Sequence, residues 1–403
     1  MPSLRPHQLR AVQESKDKWG LWFRQRVGKT ATAIRLASTR AKSALVVSPK
    51  SLKVQWQEEI LNWNDSDCKF YVVSKEDVRL NKNIPQGCES IICDESHLAF
   101  GNYKSLAFKA LKKYVKDNNV RCIWLLTGTP VTATNWSVYS YLVLLGYNPN
   151  FIKWREKFNF PMRMGKRIIW QPKPNMEEEL QKILKQIGTV IDLKDIADIA
   201  EDEDVFEYFS LNPIQRQHIK DSFDPMPIIR YTKQHECESG ILKGDEYNET
   251  KIFSCSKDTR IKELVNSTDK IVIVVRYLDL LDKYAELLKD CGKSIFKISG
   301  REKLTASEIA REAENSAKAV VLIQGDTVAG YNLQSFSTVV FASMSYSFVN
   351  YDQVRFRTKN MDKLTPCTYI HLFIEGDSID NAIYKSVKNK QNFSEELYGK
   401  TRS

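Results

Sequence analysis

Along this chain, short apolar runs rich in β-branched residues alternate with longer amphipathic stretches, and the alternation occurs in two blocks. In the first block the runs are "LWF" (21–23), "SALVVSP" (43–49), "KFYVVS" (69–74), "SIICDE" (90–95) and "RCIWLLTG" (121–128). The second repeats the rhythm with "KIVIVVRY" (270–277), "SIFKIS" (294–299), "AVVLIQ" (319–324), "TVVFAS" (338–343) and "TYIHLFI" (368–374). Runs that are apolar at consecutive positions read as strands covered on both faces, as in parallel sheets flanked by helices. Between them, "PHQLRAVQESKDKW" reads as a helix with Pro6 in its first turn and Gly20 just past its end. "SLKVQWQEEILNW" reads as a helix capped by Ser51. The pattern predicts an α/β chain with one domain over 1–150 and a second over 256–403. From 151 to 255 the periodicity weakens, and that stretch is expected to be a partly helical insertion and linker.

Composition narrows the class of partner. The 403 residues suffice for two or three domains of about 150 residues each. Sixty Lys and Arg against fifty Asp and Glu leave a net charge of +10, which favours a polyanionic partner. The eight cysteines include no C-x-x-C pair, and Cys93, Cys122 and Cys367 lie in or beside apolar runs, as small core hydrophobes of a reducing compartment would. His235 and Cys237 have ligand-like spacing, but no second pair follows to complete a zinc site. No apolar stretch approaches the ~20 residues of a membrane span, and "MPSLRPHQLR" lacks the pattern of a signal peptide. The expectation is a soluble, cytoplasmic protein.

Candidate chemistry begins at "FRQRVGKT" (23–30). The phosphate cradle G-x-x-x-x-G-K-[ST] ends here as Gly28-Lys29-Thr30, with Phe23 where its first glycine belongs. Gly28 lets backbone N–H groups approach phosphates, Lys29 can reach the β and γ oxygens, and Thr30 can ligate Mg²⁺. A magnesium partner ends the run "SIICDESH": Asp94 can hold the ion and Glu95 can polarise an attacking water. His97 is a candidate for coupling this site to a neighbouring element. Thr127 and Thr129 of "LLTGTP" can bond to backbone or to phosphate.

These motifs stand in a fixed order with "LRPHQ" (4–8), "VVSPKSLKVQWQEEI" (46–60), "VAGYNLQ" (328–334), "YDQVRFR" (351–357) and a closing "IEGDSIDNAIYKSVKNK" (374–390). The series resembles the superfamily-two helicases, and most closely the SWI/SNF-type double-stranded DNA translocases in a compact viral or bacterial form. Pro49, Ser51, Leu52, Trp56 and Glu59, together with the closing segment, carry the resemblance to that branch.

The resemblance implies two RecA-like lobes, ATP and Mg²⁺ in the cleft between them, and duplex DNA as the partner of a monomeric motor. Position by position, it makes Gln8 the adenine-reading glutamine with Arg5 close by. Val27, Gly28, Lys29 and Thr30 become the phosphate loop, and Asp94 and Glu95 the acidic pair. Thr127, Thr129, His97 and Gln353 become coupling residues, and Gly330 and Asn332 part of a second-lobe nucleotide motif. Lys50 and Ser51 are implied DNA contacts, with Ser299 and Gly300 as further candidates. Arg357, four residues after Gln353, matches the first of two family arginines that approach the γ-phosphate; Asn360 stands where the second would be. If 349–356 begins a helix, Arg355 lies about 200° from Arg357 and faces away, towards solvent or DNA. Phe23 and Arg26 also depart from the family pattern around the loop. The basic run Lys153, Arg155, Lys157, Arg163, Lys166 and Arg167 suits a phosphate backbone. Two other readings stay open: an RNA or single-strand helicase on the same scaffold, and a DNA-binding module that has lost catalysis.

Overall fold

The computed structural model describes residues 2–131, 135–164, 167–173, 176–192, 195–196, 201–244, 249–327, 331–359 and 366–389. The chain divides into two compact units, Met1–Ala197 and Asp198–Ser403. Each is built on a six-stranded parallel sheet flanked by helices, the α/β architecture that the apolar pattern predicts.

In the first unit the strands are β1 (Lys18–Phe23), β2 (Ser43–Ser48), β3 (Lys69–Ser74), β4 (Ser90–Cys93) and β5 (Cys122–Leu126). A two-stranded antiparallel hairpin follows, β6 (Asn159–Met164) with β7 (Arg167–Pro172), and then β8 (Gly188–Ile191). The sheet order is β3-β2-β4-β5-β1-β8. β4 and β5 are buried along their whole length because helices cover both faces. Ile91, Cys93, Ile123 and Leu125 enter one core together with Leu111, Tyr141 and Leu184. The side chains between them on these strands point to the opposite face.

The second unit comprises β9 (Glu203–Phe209), a short pair β10 (Ile241–Leu242) and β11 (Lys251–Ile252), then β12 (Lys270–Val275), β13 (Ser294–Ile298), β14 (Ala319–Gln324), β15 (Thr338–Phe341) and β16 (Thr368–Ile374). Its sheet order is β13-β14-β12-β15-β16-β9. β12 displays the two-sided core: Val272 and Val274 belong to one cluster, while Ile271, Ile273 and Val275 belong to the cluster on the opposite face.

Three expectations are corrected. The stretch 151–255 is not a separate insertion, because β8 completes the edge of the first sheet and β9 the edge of the second. β9 escapes pattern reading because Glu203, Asp204 and Glu207 interrupt its apolar positions, and charged residues on an edge strand discourage pairing with another chain. The first helix spans only Pro6–Glu14, and Gly20 lies inside β1. Ser51 caps no helix: it sits in a 3₁₀ turn, Lys50–Leu52, and the α-helix begins at Lys53. Cys93, Cys122 and Cys367 are buried as expected. Among the described residues no helix is long and apolar enough to cross a membrane.

Candidate nucleotide site

The C-terminal ends of three adjacent strands of the first sheet bring the candidate residues together. β1 runs into the loop 24–28, β4 into Asp94 and Glu95, and β5, which lies between them, into Thr127-Gly128-Thr129. In open α/β sheets this edge is where ligands bind, because loops there can diverge and helix N-termini point outward.

Gly28 has φ +84° and precedes the helix Lys29–Arg40. The left-handed conformation favours glycine, and a Cβ there would lie 2.2 Å from Gln8 Nε2. The close approach is used: Gln8 Nε2 donates to the Gly28 carbonyl at 3.1 Å, and Gln8 Oε1 accepts from the Arg5 backbone N–H at 2.8 Å. His7 Nε2 lies 3.0 Å from the Val27 carbonyl oxygen. The first helix is thereby fastened to the loop. Gln8 is buried, whereas the Arg5 side chain is exposed. Arg26 adopts φ +71°, which explains why a glycine would be at home at this position and places strain of order 1–3 kcal/mol in the loop. Phe23 is wholly buried as the last residue of β1, and its carbonyl accepts from Lys29 Nζ at 3.0 Å. Thr30 is half-buried in the first turn of the following helix.

The acid pair is buried, with Asp94 at 7% and Glu95 at 9% exposure. Trp56 Nε1 donates to Asp94 Oδ2 at 2.9 Å, and the Glu95 backbone N–H donates to Asp94 Oδ1 at 2.9 Å. Burial, reinforced by the charge on Glu95, pushes the Asp94 carboxyl up to about 6 against the opposing pull of Trp56 and Lys29. Glu95 has φ +41°, and its Oε2 is buried without a hydrogen-bond partner among the described residues. Two adjoining buried carboxylates, one with an unpartnered oxygen, leave negative charge that a cation would balance. Among the described residues no three His, Cys, Asp or Glu side chains form a metal site by themselves.

His97 links the acids to the β5 loop. Its Nδ1 lies 2.8 Å from Thr127 Oγ1 and 3.4 Å from Glu95 Oε2, and Thr127 Oγ1 accepts from the Thr129 backbone N–H at 3.0 Å. Burial holds the imidazole neutral by pushing its pKa down to about 3. A hydrogen-bonded path therefore joins His97, Thr127 and Thr129. Pattern reading missed two partners. Trp56 reaches Asp94 from 38 residues away. Gln25 is buried with both amide atoms unpartnered among the described residues, and it packs so closely against Gly128 that a Cβ there would lie 2.6 Å from its Oε1.

In the second unit Gly330 and Asn360 lie outside the described residues, and Asn332 is exposed beside buried Tyr331 and Leu333. The helix expected around 349–356 spans Phe348–Arg357. The Arg357 carbonyl accepts from the Leu333 backbone N–H at 2.9 Å, and its guanidinium carbon stands 5.3 Å from the Tyr331 ring centroid. These contacts tie Arg357 to the segment following Gly330. Gln353 is buried with both amide atoms unpartnered among the described residues.

Arg355 requires a correction. It is largely turned inward rather than out to solvent: its Nη1 donates to Asp204 at 2.6 Å and to the Tyr351 hydroxyl at 2.8 Å, and the guanidinium lies 4.0 Å from the Tyr369 ring centroid. Asp204, on edge strand β9, also accepts from His371 Nε2 at 3.1 Å, and these partners hold its carboxyl down at about 2. Arg355 fastens the edge of the second sheet.

Of the other candidate contacts, Lys50 and Ser51 are exposed on the turn after β2. The Ser299 hydroxyl is engaged locally, accepting from the Arg301 backbone N–H and donating to Glu302, beside exposed Gly300. In the basic run, Lys153 and Arg163 are exposed, Lys157 pairs with Glu179 at 2.5 Å, and Arg155 stacks over Trp170. Lys166 and the Arg167 side chain lie outside the described residues. His235, close to Cys237 in sequence, instead spends both ring nitrogens on Asp380 (2.9 Å) and the Tyr277 hydroxyl (3.0 Å). No protein-family model matches this chain, and no curated protein matches it.

Proposed function

We propose that this chain is an ATP-driven motor that tracks along duplex DNA, as its resemblance to SWI/SNF-type translocases implies. One observation carries the reading: a phosphate loop, a buried acid pair that calls for a cation and a Thr-Gly-Thr turn meet at the ends of three adjacent parallel strands. Lys29 would leave the Phe23 carbonyl to neutralise β and γ oxygens, Asp94 and Thr30 would hold Mg²⁺, and Glu95 would polarise the attacking water. His97 and Thr127 would carry the state of Glu95 into the β5 loop. From the second unit, the reading assigns Arg357 to the charge that builds on the transferred phosphoryl group.

The duplex would be gripped through its phosphates, since a motor stepping over any sequence gains nothing from reading base edges. Exposed Lys50 and Ser51 and the net charge of +10 suit that grip. Motion itself is tested by strand displacement from a triplex. ATP should release a third strand annealed in the major groove, and a non-hydrolysable analogue should not. Release that proceeds equally with the analogue would defeat the motor reading.

A further inference from the structure

The first unit also holds a half-open cavity of about 990 Å³, lined by His97 and otherwise by residues that the proposed ATP chemistry does not use. Its floor is aromatic. Trp136 and Phe151 stack with ring centroids 5.5 Å apart and planes 19° apart, and Tyr103 lies 5.2 Å from Trp136. The hairpin strand β7 supplies Trp170, with the Arg155 guanidinium 4.1 Å from its ring centroid. The lining includes Arg155 and Lys104 but no Asp or Glu.

Two polar groups in this lining lack partners. His97 is 7% exposed, and its Nε2 is buried without a hydrogen-bond partner among the described residues, whichever ring nitrogen carries the proton. Arg155 Nε is buried and unpartnered in the same way. An apolar side chain of a protein partner would leave both groups unsatisfied, which is costly in a desolvated pocket. A ligand with a π-face, ring acceptors and negative charge satisfies all three features at once, and the volume falls within the range of pockets that bury small organic ligands.

We propose that this cavity binds a nucleotide unit, its base against the aromatic floor and its phosphate at Arg155 and Lys104. The unit comes either from an unpaired position in a nucleic-acid strand or from a free mononucleotide. Its edge reaches His97, whose other nitrogen stands at Thr127 and Glu95. That contact bears on turnover only on the ATPase reading above, but binding itself does not depend on it.

Fluorescence of 2-aminopurine, quenched when the base stacks on an aromatic ring, tests the proposal with ATP and Mg²⁺ absent. Two probes are compared: a single-stranded oligonucleotide with one 2-aminopurine, and the free 2-aminopurine mononucleotide. Wild-type and Lys29→Ala proteins should quench alike, which separates the cavity from the phosphate loop even if the chain hydrolyses no ATP. Trp170→Leu should weaken binding about tenfold or more. Ile168→Glu, which alters a residue 62% exposed on the lining and so spares the core, should do the same by repelling phosphate. Quenching by the oligonucleotide alone identifies a strand as the source, and quenching by both probes admits the free nucleotide. Quenching that survives both cavity variants, or that neither probe shows with wild-type protein, overturns the proposal.

Discussion

Glu95→Gln is expected to bind ATP within a few-fold of wild type while its turnover falls by about 10² to 10⁴, the range for removing a positioned general base. The substitution keeps the size of the side chain and leaves Lys29, Thr30 and Asp94 in place. Asp94→Asn should also lose turnover, yet melt at a higher temperature. The Asp94 carboxyl is pushed up to about 6 in the folded chain, above its ordinary value of 3.8. Between roughly pH 4 and 6 the folded state therefore binds more protons than the unfolded state, and stability falls as pH rises through that window. A shift of about two units corresponds to roughly 3 kcal/mol at neutral pH; the asparagine variant would recover part of it, because its single carbonyl oxygen can accept from Trp56 or from the Glu95 backbone N–H but not from both. Melting curves of nucleotide-free and metal-free protein at pH 4 and pH 7.5 check this. The gap between variant and wild type should open at the higher pH. A variant that is less stable at pH 7.5 would mean that the charge on Asp94 is already compensated.

The second large effect separates two arginines that lie two residues apart. Arg357→Ala should cut turnover at saturating DNA by about 10³ and leave ATP affinity within a few-fold, as expected for a cation acting on the transferred phosphoryl group. Arg355→Ala should act through stability. It strands Asp204 beside His371 at the edge of the second sheet, and breaking a largely buried pair of this kind costs several kcal/mol. Melting temperature and turnover measured on both variants decide the matter. A stable Arg355→Ala protein with the larger loss of turnover would move the phosphate-directed role two residues back along the helix.

These two arginines also show where the sequence is legible. Helical spacing separates Arg355 from Arg357 correctly, since their shared helix forms as expected. The partner of Arg355 lies 151 residues away on a strand whose acidic residues mask its periodicity, so no local pattern points to the pair. The central strands are plain because Ile91–Cys93 and Ile271–Val275 are apolar at every position, the signature of burial on both faces. The edges are not: β8 is a four-residue strand that follows its helix without a loop, and β9 looks like an acidic linker. The first helix reads too long because Trp19 continues its apolar spacing, although that residue belongs to β1.

The loop and acid pair are legible because each is a short contiguous motif directly after a strand that the apolar pattern predicts. Trp56 and Gln25 are not, since their roles arise from contacts made across the sheet edge.

ATP turnover measured side by side with duplex DNA, single-stranded DNA and RNA, at equal nucleotide concentration and ionic strength, tests the central claim most directly. Duplex DNA of mixed sequence should accelerate hydrolysis well beyond the other two, and Glu95→Gln should abolish the acceleration. Stimulation by RNA or single strands alone, or no hydrolysis with any of the three, would contradict a duplex DNA motor.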